Sequence, residues 1–145
     1  MPTIETERAR AVLSRPETRV GRLGTVTDDG RPHLVPCCFA VTGDAIVSVV
    51  DGKPKSSTQL RRLDNIAANP SASLLVDHYD DDWSTLWWIR ADGEAEVVEP
   101  GGDGYASAVD ALAAKYPQYR ADRPTGPLVV IHMERVTGWS AGDRP

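Results

Sequence analysis

The chain has little of what usually performs chemistry unaided. Its 145 residues include two cysteines, three histidines and one phenylalanine. The cysteines, Cys37 and Cys38, are adjacent. Neighbours on a strand point to opposite faces, so they are badly placed to pair, and no metal-ligand spacing surrounds them. They read as small apolar residues. His33, His78 and His132 are not spaced with one another, with cysteine or with carboxylates as a ligand set would be. The acidic run Asp77, Asp80, Asp81 and Asp82 lacks the alternating ligands and closing glutamate of a calcium loop, and reads as a solvated segment. No Gly-rich loop of the Rossmann or Walker type is present, and no Gly-x-Ser-x-Gly nucleophile elbow. Triad hydrolysis therefore has no support. An enzyme built on this chain leaves the hard step to a cofactor.

Long apolar runs and positive charge are also scarce. No run approaches the roughly 18 residues of a membrane span, and the first residues, Met1 to Arg8, lack the apolar centre of a signal peptide. The expectation is a cytoplasmic protein with no membrane partner. Acidic residues outnumber basic ones 21 to 16, a net charge of −5, which argues against a nucleic-acid partner.

What remains is the length of one domain, residues 1–145, with punctuated, mostly β patterning. Thr6 to Ser14 reads as a short helix with Ala9, Val12 and Leu13 on one face. Arg19 to Thr27 is a strand containing Gly21 and Gly24, and Asp28-Asp29-Gly30 is a strong turn. Arg31 to Thr42 is the return strand, carrying Pro32 and Pro36. Ala45 to Val50 is nearly all apolar, as expected of a segment buried on both sides. A helix with Leu60, Leu63, Ile66 and Ala67 on one face opens at Ser56 or Ser57 and stops at Asn69-Pro70. Ala72 to Val76 and Thr85 to Val98 are strands, the second with a bulge or turn at Asp92-Gly93. Gly104 to Tyr116 is a helix, Pro117 to Pro127 an irregular loop, Leu128 to Val136 the last strand, and Thr137 to Pro145 a tail holding Trp139. Six antiparallel strands with few helices predict a small barrel.

The stretch from Ser48 to Pro70 carries the most chemistry. A strand ends at Val50, Asp51-Gly52 turns, and Lys53 and Lys55 stand just before a helix start. Lysine at that end opposes the helix dipole, a local cost that an anion held between the two ammonium groups would offset. The free N–H groups of the helix start and the hydroxyls of Ser56, Ser57 and Thr58 add donors. Together they predict an anion site, with the phosphate of a cofactor as the anion.

These segments, taken in order, resemble a known family. Gly24-Thr25-Val26-Thr27 followed by Asp29-Gly30-Arg31-Pro32-His33-Leu34-Val35-Pro36 is similar to the first hairpin of the flavin/deazaflavin split barrels. That family includes pyridoxamine 5'-phosphate oxidases and deazaflavin-dependent oxidoreductases. Lys53-Pro54-Lys55, the Asn69-Pro70 stop, Ser73-Leu74-Leu75-Val76, Asp77 with Trp83-Ser84, Ala91 to Ala95, and Lys115-Tyr116-Pro117 continue the match over about Arg19 to Trp139. The resemblance implies a mainly β, six-stranded antiparallel FMN-binding split barrel with flanking helices, and a homodimer with cofactor sites at its interface. Within the family the chain looks closest to the branch using coenzyme F-420 rather than FMN. The tail Val136-Thr137-Gly138-Trp139-Ser140 lacks the arginine-rich segment of the vitamin B6 oxidases.

Carried over, the resemblance puts Lys55 on the cofactor phosphate, assisted by Lys53 and Thr58, with Ser48 and Val49 on the strand wall. Gly24, Thr25, Val26, Val35, Pro36 and Cys37 border the ring, and Trp83 flanks the pocket from the partner subunit or a nearby loop. The implied reaction is hydride transfer from reduced F-420 to an electron-poor small molecule. The alternatives are an FMN-binding oxidoreductase of the same fold and a cofactor- or tetrapyrrole-binding protein without turnover.

Overall fold

A computed structural model describes residues 3–50, 57–143 and 145, with the side chains of 57–60 left out of the description. In chain order the elements are α1 (Thr6–Leu13), β1 (Gly21–Val26), β2 (Pro32–Cys37), β3 (Ala40–Thr42), β4 (Ala45–Val49), α2 (Ser57–Ala68) and β5 (Ser71–His78). A 3-10 turn (Trp83–Thr85), β6 (Trp87–Val98), α3 (Tyr105–Lys115), α4 (Pro117–Ala121) and β7 (Leu128–Ser140) complete them.

The strands form one antiparallel seven-stranded sheet in the order β2-β1-β5-β6-β7-β4-β3. Its outermost strands, β2 and β3, are consecutive in sequence and joined only by Cys38 and Phe39. A two-residue link spans only a few ångströms. The sheet therefore curls until its edges meet, which gives a barrel with a seam at Cys38-Phe39.

The expected single return strand, Arg31 to Thr42, is thus two strands, and the count is seven rather than six. The break has a physical cause. Phe39 is fully buried, and its backbone N–H goes to the Tyr116 hydroxyl at 3.0 Å instead of to a strand neighbour.

Two other segments differ from expectation. The loop after Pro117 opens with a short helix, with proline at its first turn. There Arg120 donates to the carbonyls of Ala113 and Ala114, both at 2.9 Å, and so satisfies the end of α3. Trp139 lies inside β7 rather than in a tail, because the start of β6 pairs there: Trp88 opposes Trp139 and Trp87 opposes Ser140. The Asp92-Gly93 irregularity is a bulge in the β6/β7 pairing. A Cβ at Gly93 would overlap the His132 carbonyl, so the close strand approach requires glycine.

The strand β4, apolar except for Ser48, is buried on both faces. Ile46 and Val50 pack with Leu13, Leu23, Phe39, Leu74 and Ile89 inside the barrel. Val47 and Val49 pack with Val109, Leu112 and Leu128 under α3. The helix α1 contributes Ala9, Val12 and Leu13, all fully buried. The helix α2 contributes Ile66 and the buried Asn65, whose amide donates to Thr25 Oγ1 at 3.1 Å.

Candidate functional site: a cleft across the barrel seam

Strand alternation on β1 sends Leu23 and Thr25 inward and Arg22, Gly24 and Val26 outward. On the outer face Leu34 lies opposite Gly24, and Pro36 opposite Arg22. Gly24 in turn pairs with Ser73, and Arg22 with Leu75. With no side chain at Gly24 the centre of this face is flat. A Cβ there would lie 3.3 Å from Leu34 Cδ2. The result is a largely apolar cavity of about 400 Å3 floored by Gly24, Leu34, Pro36 and Leu75.

Pro36 also lines a second cavity, of about 330 Å3, with Arg19, Cys37, Cys38, Val49 and Arg62. The two cavities meet at that proline, so an apolar platform runs into a cationic mouth. Arg62 projects from α2, and its Nε is buried without a hydrogen-bond partner. Among the described residues neither Arg19 nor Arg62 forms an ion pair. Arg10, Arg22, Arg31, Arg90 and Arg123 do, and what sets Arg19 and Arg62 apart from the other arginines without an ion pair is that both line this one cavity. In a chain with excess acid, two uncompensated guanidinium groups at one cavity make an acceptor site for an anion. Burial pushes the Cys37 thiol above its ordinary pKa, against the opposing pull of a Ser48 hydrogen bond and the Arg62 charge.

The sequence-derived site residues divide between the cleft and the layer behind it. Gly24, Val35 and Pro36 line the apolar cavity, and Cys37 and Val49 the cationic one. Val26 lines a neighbouring cavity with Gly24 and Asp92. Thr25 is 3% exposed and faces α2. Ser48 is 4% exposed and lies beneath Cys37. Trp83 stands on the 3-10 turn, 68% exposed, and lines neither cavity. Lys53 and Lys55 lie outside the described residues; Thr58 falls in α2, with its side chain outside the description.

Sequence reasoning left Arg19, Arg22, Arg62 and Arg90 out of the site. Arg62 had a legible signal, since it precedes Asn65 and Ile66 by three and four residues and so shares their barrel-facing side. The others depend on which strands become neighbours. No cluster of metal-ligating side chains is found among the described residues. His78 contacts Asp80 at 3.0 Å, and His132 contacts Glu96 at 2.5 Å.

A seamed antiparallel barrel with a flat cleft opening beside unpaired arginines defines a split-barrel protein. The chain belongs to the pyridoxamine 5'-phosphate oxidase family, whose model matches residues 6–140. Solved structures share the fold. An FAD-binding protein from Mesorhizobium loti is 23% identical, with 94% of each chain covered and a TM-score of 0.69. A conserved hypothetical protein from Mycobacterium tuberculosis is 24% identical, covering 95% of this chain and 85% of that one, with a TM-score of 0.72. A heme-binding protein from Mycobacterium smegmatis is 25% identical over 94% of this chain and 54% of that one, with a TM-score of 0.69. No curated protein matches the chain.

Proposed function

We propose that the cleft binds a phosphorylated tricyclic redox cofactor, coenzyme F-420 in the first place and FMN as the alternative, and that the protein is an oxidoreductase acting on an electron-poor small molecule. The observation that carries this reading is the continuity at Pro36 of a flat apolar platform with a mouth holding the unpaired Arg62 Nε. The residues present suit such a molecule. The bare Gly24 leaves room for a planar ring against the backbone, and the orphaned Nε needs an acceptor. When bound, the reduced cofactor supplies a hydride donor.

The protein's own contribution is binding, orientation and exclusion of water. Arg62 and Arg19 neutralise the phosphate, with Lys53, Lys55 and Thr58 assisting. Leu34 and Pro36, beside the bare Gly24, back one ring face and keep water from it. No carboxylate or histidine lines the apolar cavity among the described residues, which leaves solvent as the proton source.

A homodimer belongs to this reading. Leu34 is 73% exposed on the cleft face and Trp83 68% exposed, apolar area that a second copy would cover. The heme-binding relative supports a second reading, a tetrapyrrole-binding protein without turnover. Against it, none of the three histidines lines either cavity to ligate iron.

Titrating purified protein with reduced F-420, FMN and hemin while following tryptophan fluorescence tests the choice. F-420 is expected to quench most tightly and to be oxidised in the presence of an enone or quinone. Tight FMN binding without F-420 binding would move the assignment to FMN; binding of neither would overturn it.

A further inference from the structure

The apolar cavity has a charged rim that cofactor binding does not require. Leu75 pairs with Arg22 on one side and with Arg90 on the other. The two arginines therefore stand two strands apart on one face, roughly 10 Å between backbones. A guanidinium on its flexible stem spans half that distance, so both reach the space above Leu75.

Each is held from outside the cavity. Arg22 Nη1 lies 3.0 Å from Asp77 Oδ1. Arg90 Nε lies 3.2 Å from Asp92 Oδ2, and its guanidinium stands 5.8 Å from the centre of the Trp88 ring. Neither acid lines the cavity; Asp92 opens instead on the neighbouring one with Glu134. The anchors use one nitrogen of each arginine. The remaining N–H groups, including both Nη of Arg90, stand over a mostly apolar floor whose one uncharged polar side chain is Ser73, its hydroxyl already donating to Asp92 Oδ1.

We propose that Arg22 and Arg90 determine the substrate specificity of the cleft by binding the carboxylate of a flat, largely apolar acid whose body lies on Leu75, beside the floor of Gly24, Leu34 and Pro36 that takes the cofactor ring. The substrate class is an unsaturated or aromatic carboxylic acid. Neutral analogues of the same shape bind less tightly because they forgo the charge-assisted hydrogen bonds to the two guanidinium groups. Arg22 and Arg90 are pre-oriented by their anchors, so little side-chain freedom is lost on binding. The proposal rests on the cleft reading for the fate of the substrate; carboxylate binding itself needs no cofactor.

The test uses the full chain without added cofactor, titrated by calorimetry with 2-naphthoate and with its neutral amide at low and high salt. The acid is expected to bind about tenfold more tightly than the amide at low salt, with the gap narrowing as salt rises. Arg22→Gln and Arg90→Gln should each shrink the preference and together erase it. Arg22→Lys and Arg90→Lys should keep part of it, and they serve as the folded controls if a glutamine variant fails to fold. Arg123→Gln, which breaks a pair with Asp110 on α3, should leave it intact. Equal binding of acid and amide, binding of neither, or a preference surviving in the double variant would overturn the proposal. Parallel FMN and F-420 titrations separate the two readings. Cofactor binding without acid preference removes this proposal alone, and acid preference without cofactor binding removes the cofactor reading alone.

Discussion

The Tyr116 hydroxyl lies 3.0 Å from the backbone nitrogen of Phe39 and 2.7 Å from the carbonyl of Arg19. It is also 3.0 Å from the Phe39 carbonyl. One side chain at the end of α3 thus fastens the link between the two edge strands to the segment that carries a cleft arginine. The seam and the cationic mouth share a support.

Removing that hydroxyl tests the connection. Tyr116→Phe keeps the ring and strands the Phe39 N–H, a buried donor whose loss costs about 1–3 kcal/mol. Urea unfolding is expected to show a lower midpoint, and cofactor titration a weaker affinity through the displaced Arg19. A variant as stable as the parent would mean that another group satisfies the seam.

Lys115, beside Tyr116, gives a pH signature. Its Nζ is buried without a hydrogen-bond partner, 3.7 Å from the centre of the Phe39 ring. Burial, aided by the Arg19 charge, lowers its pKa from 10.5 to about 8, while Cys38 and Cys37 pull the other way. The unfolded chain therefore holds this proton more tightly than the folded one. Stability rises with pH from about 8 towards 10.5 and is lost as pH falls back through 8. Cys37, raised from 9.0, and Tyr116, raised from 10.0 to about 12, act oppositely once pH passes their ordinary values. The interval from 8 to 9 isolates the lysine. Urea midpoints should climb across it in the parent and stay flat in Lys115→Met; equal slopes would refute the assignment.

Gly93→Ala places a Cβ against the backbone carbonyl of His132, which cannot give way as a side-chain tip can. The bulge must shift or the β6/β7 pairing must open, so a loss above about 2 kcal/mol is expected. Thermal unfolding measures it, and a melting temperature within a degree of the parent would show that the bulge relaxes at little cost.

Arg62→Met separates a binding role from a structural one. It removes a partly buried charge whose Nε has no acceptor. Stability should therefore hold or rise, since an uncompensated charge is costly inside a fold. Affinity for the phosphorylated cofactor should fall tenfold or more at low salt, with a smaller effect at high salt. Unchanged affinity would take Arg62 out of the site.

Much of the architecture was legible in local pattern. Helix periodicity gave α1, α2 and α3. The Asp28-Asp29-Gly30 turn gave the β1/β2 hairpin, and the nearly all-apolar run of β4 gave its burial on both faces. The break at Cys38-Phe39 was not legible. It depends on Phe39 turning into the core and on a hydroxyl from a helix 77 residues away in sequence. Thr25 and Ser48 show the same limit: the resemblance carries both to the site, but strand alternation buries both behind the residues that line the cavities.

By itself the sequence determined the class of fold and put Gly24 inside a strand as a point of close approach, because these follow from residue types and near-neighbour spacing. Only the tertiary structure decided that Pro36 joins an apolar platform to a cationic mouth. It alone placed Arg22 and Arg90 on either side of Leu75, and left the Arg62 Nε without a partner among the described residues. The physical reason is register. Which side chains share a face and which charges find partners are set by pairing between strands distant in sequence, and no local pattern encodes that pairing.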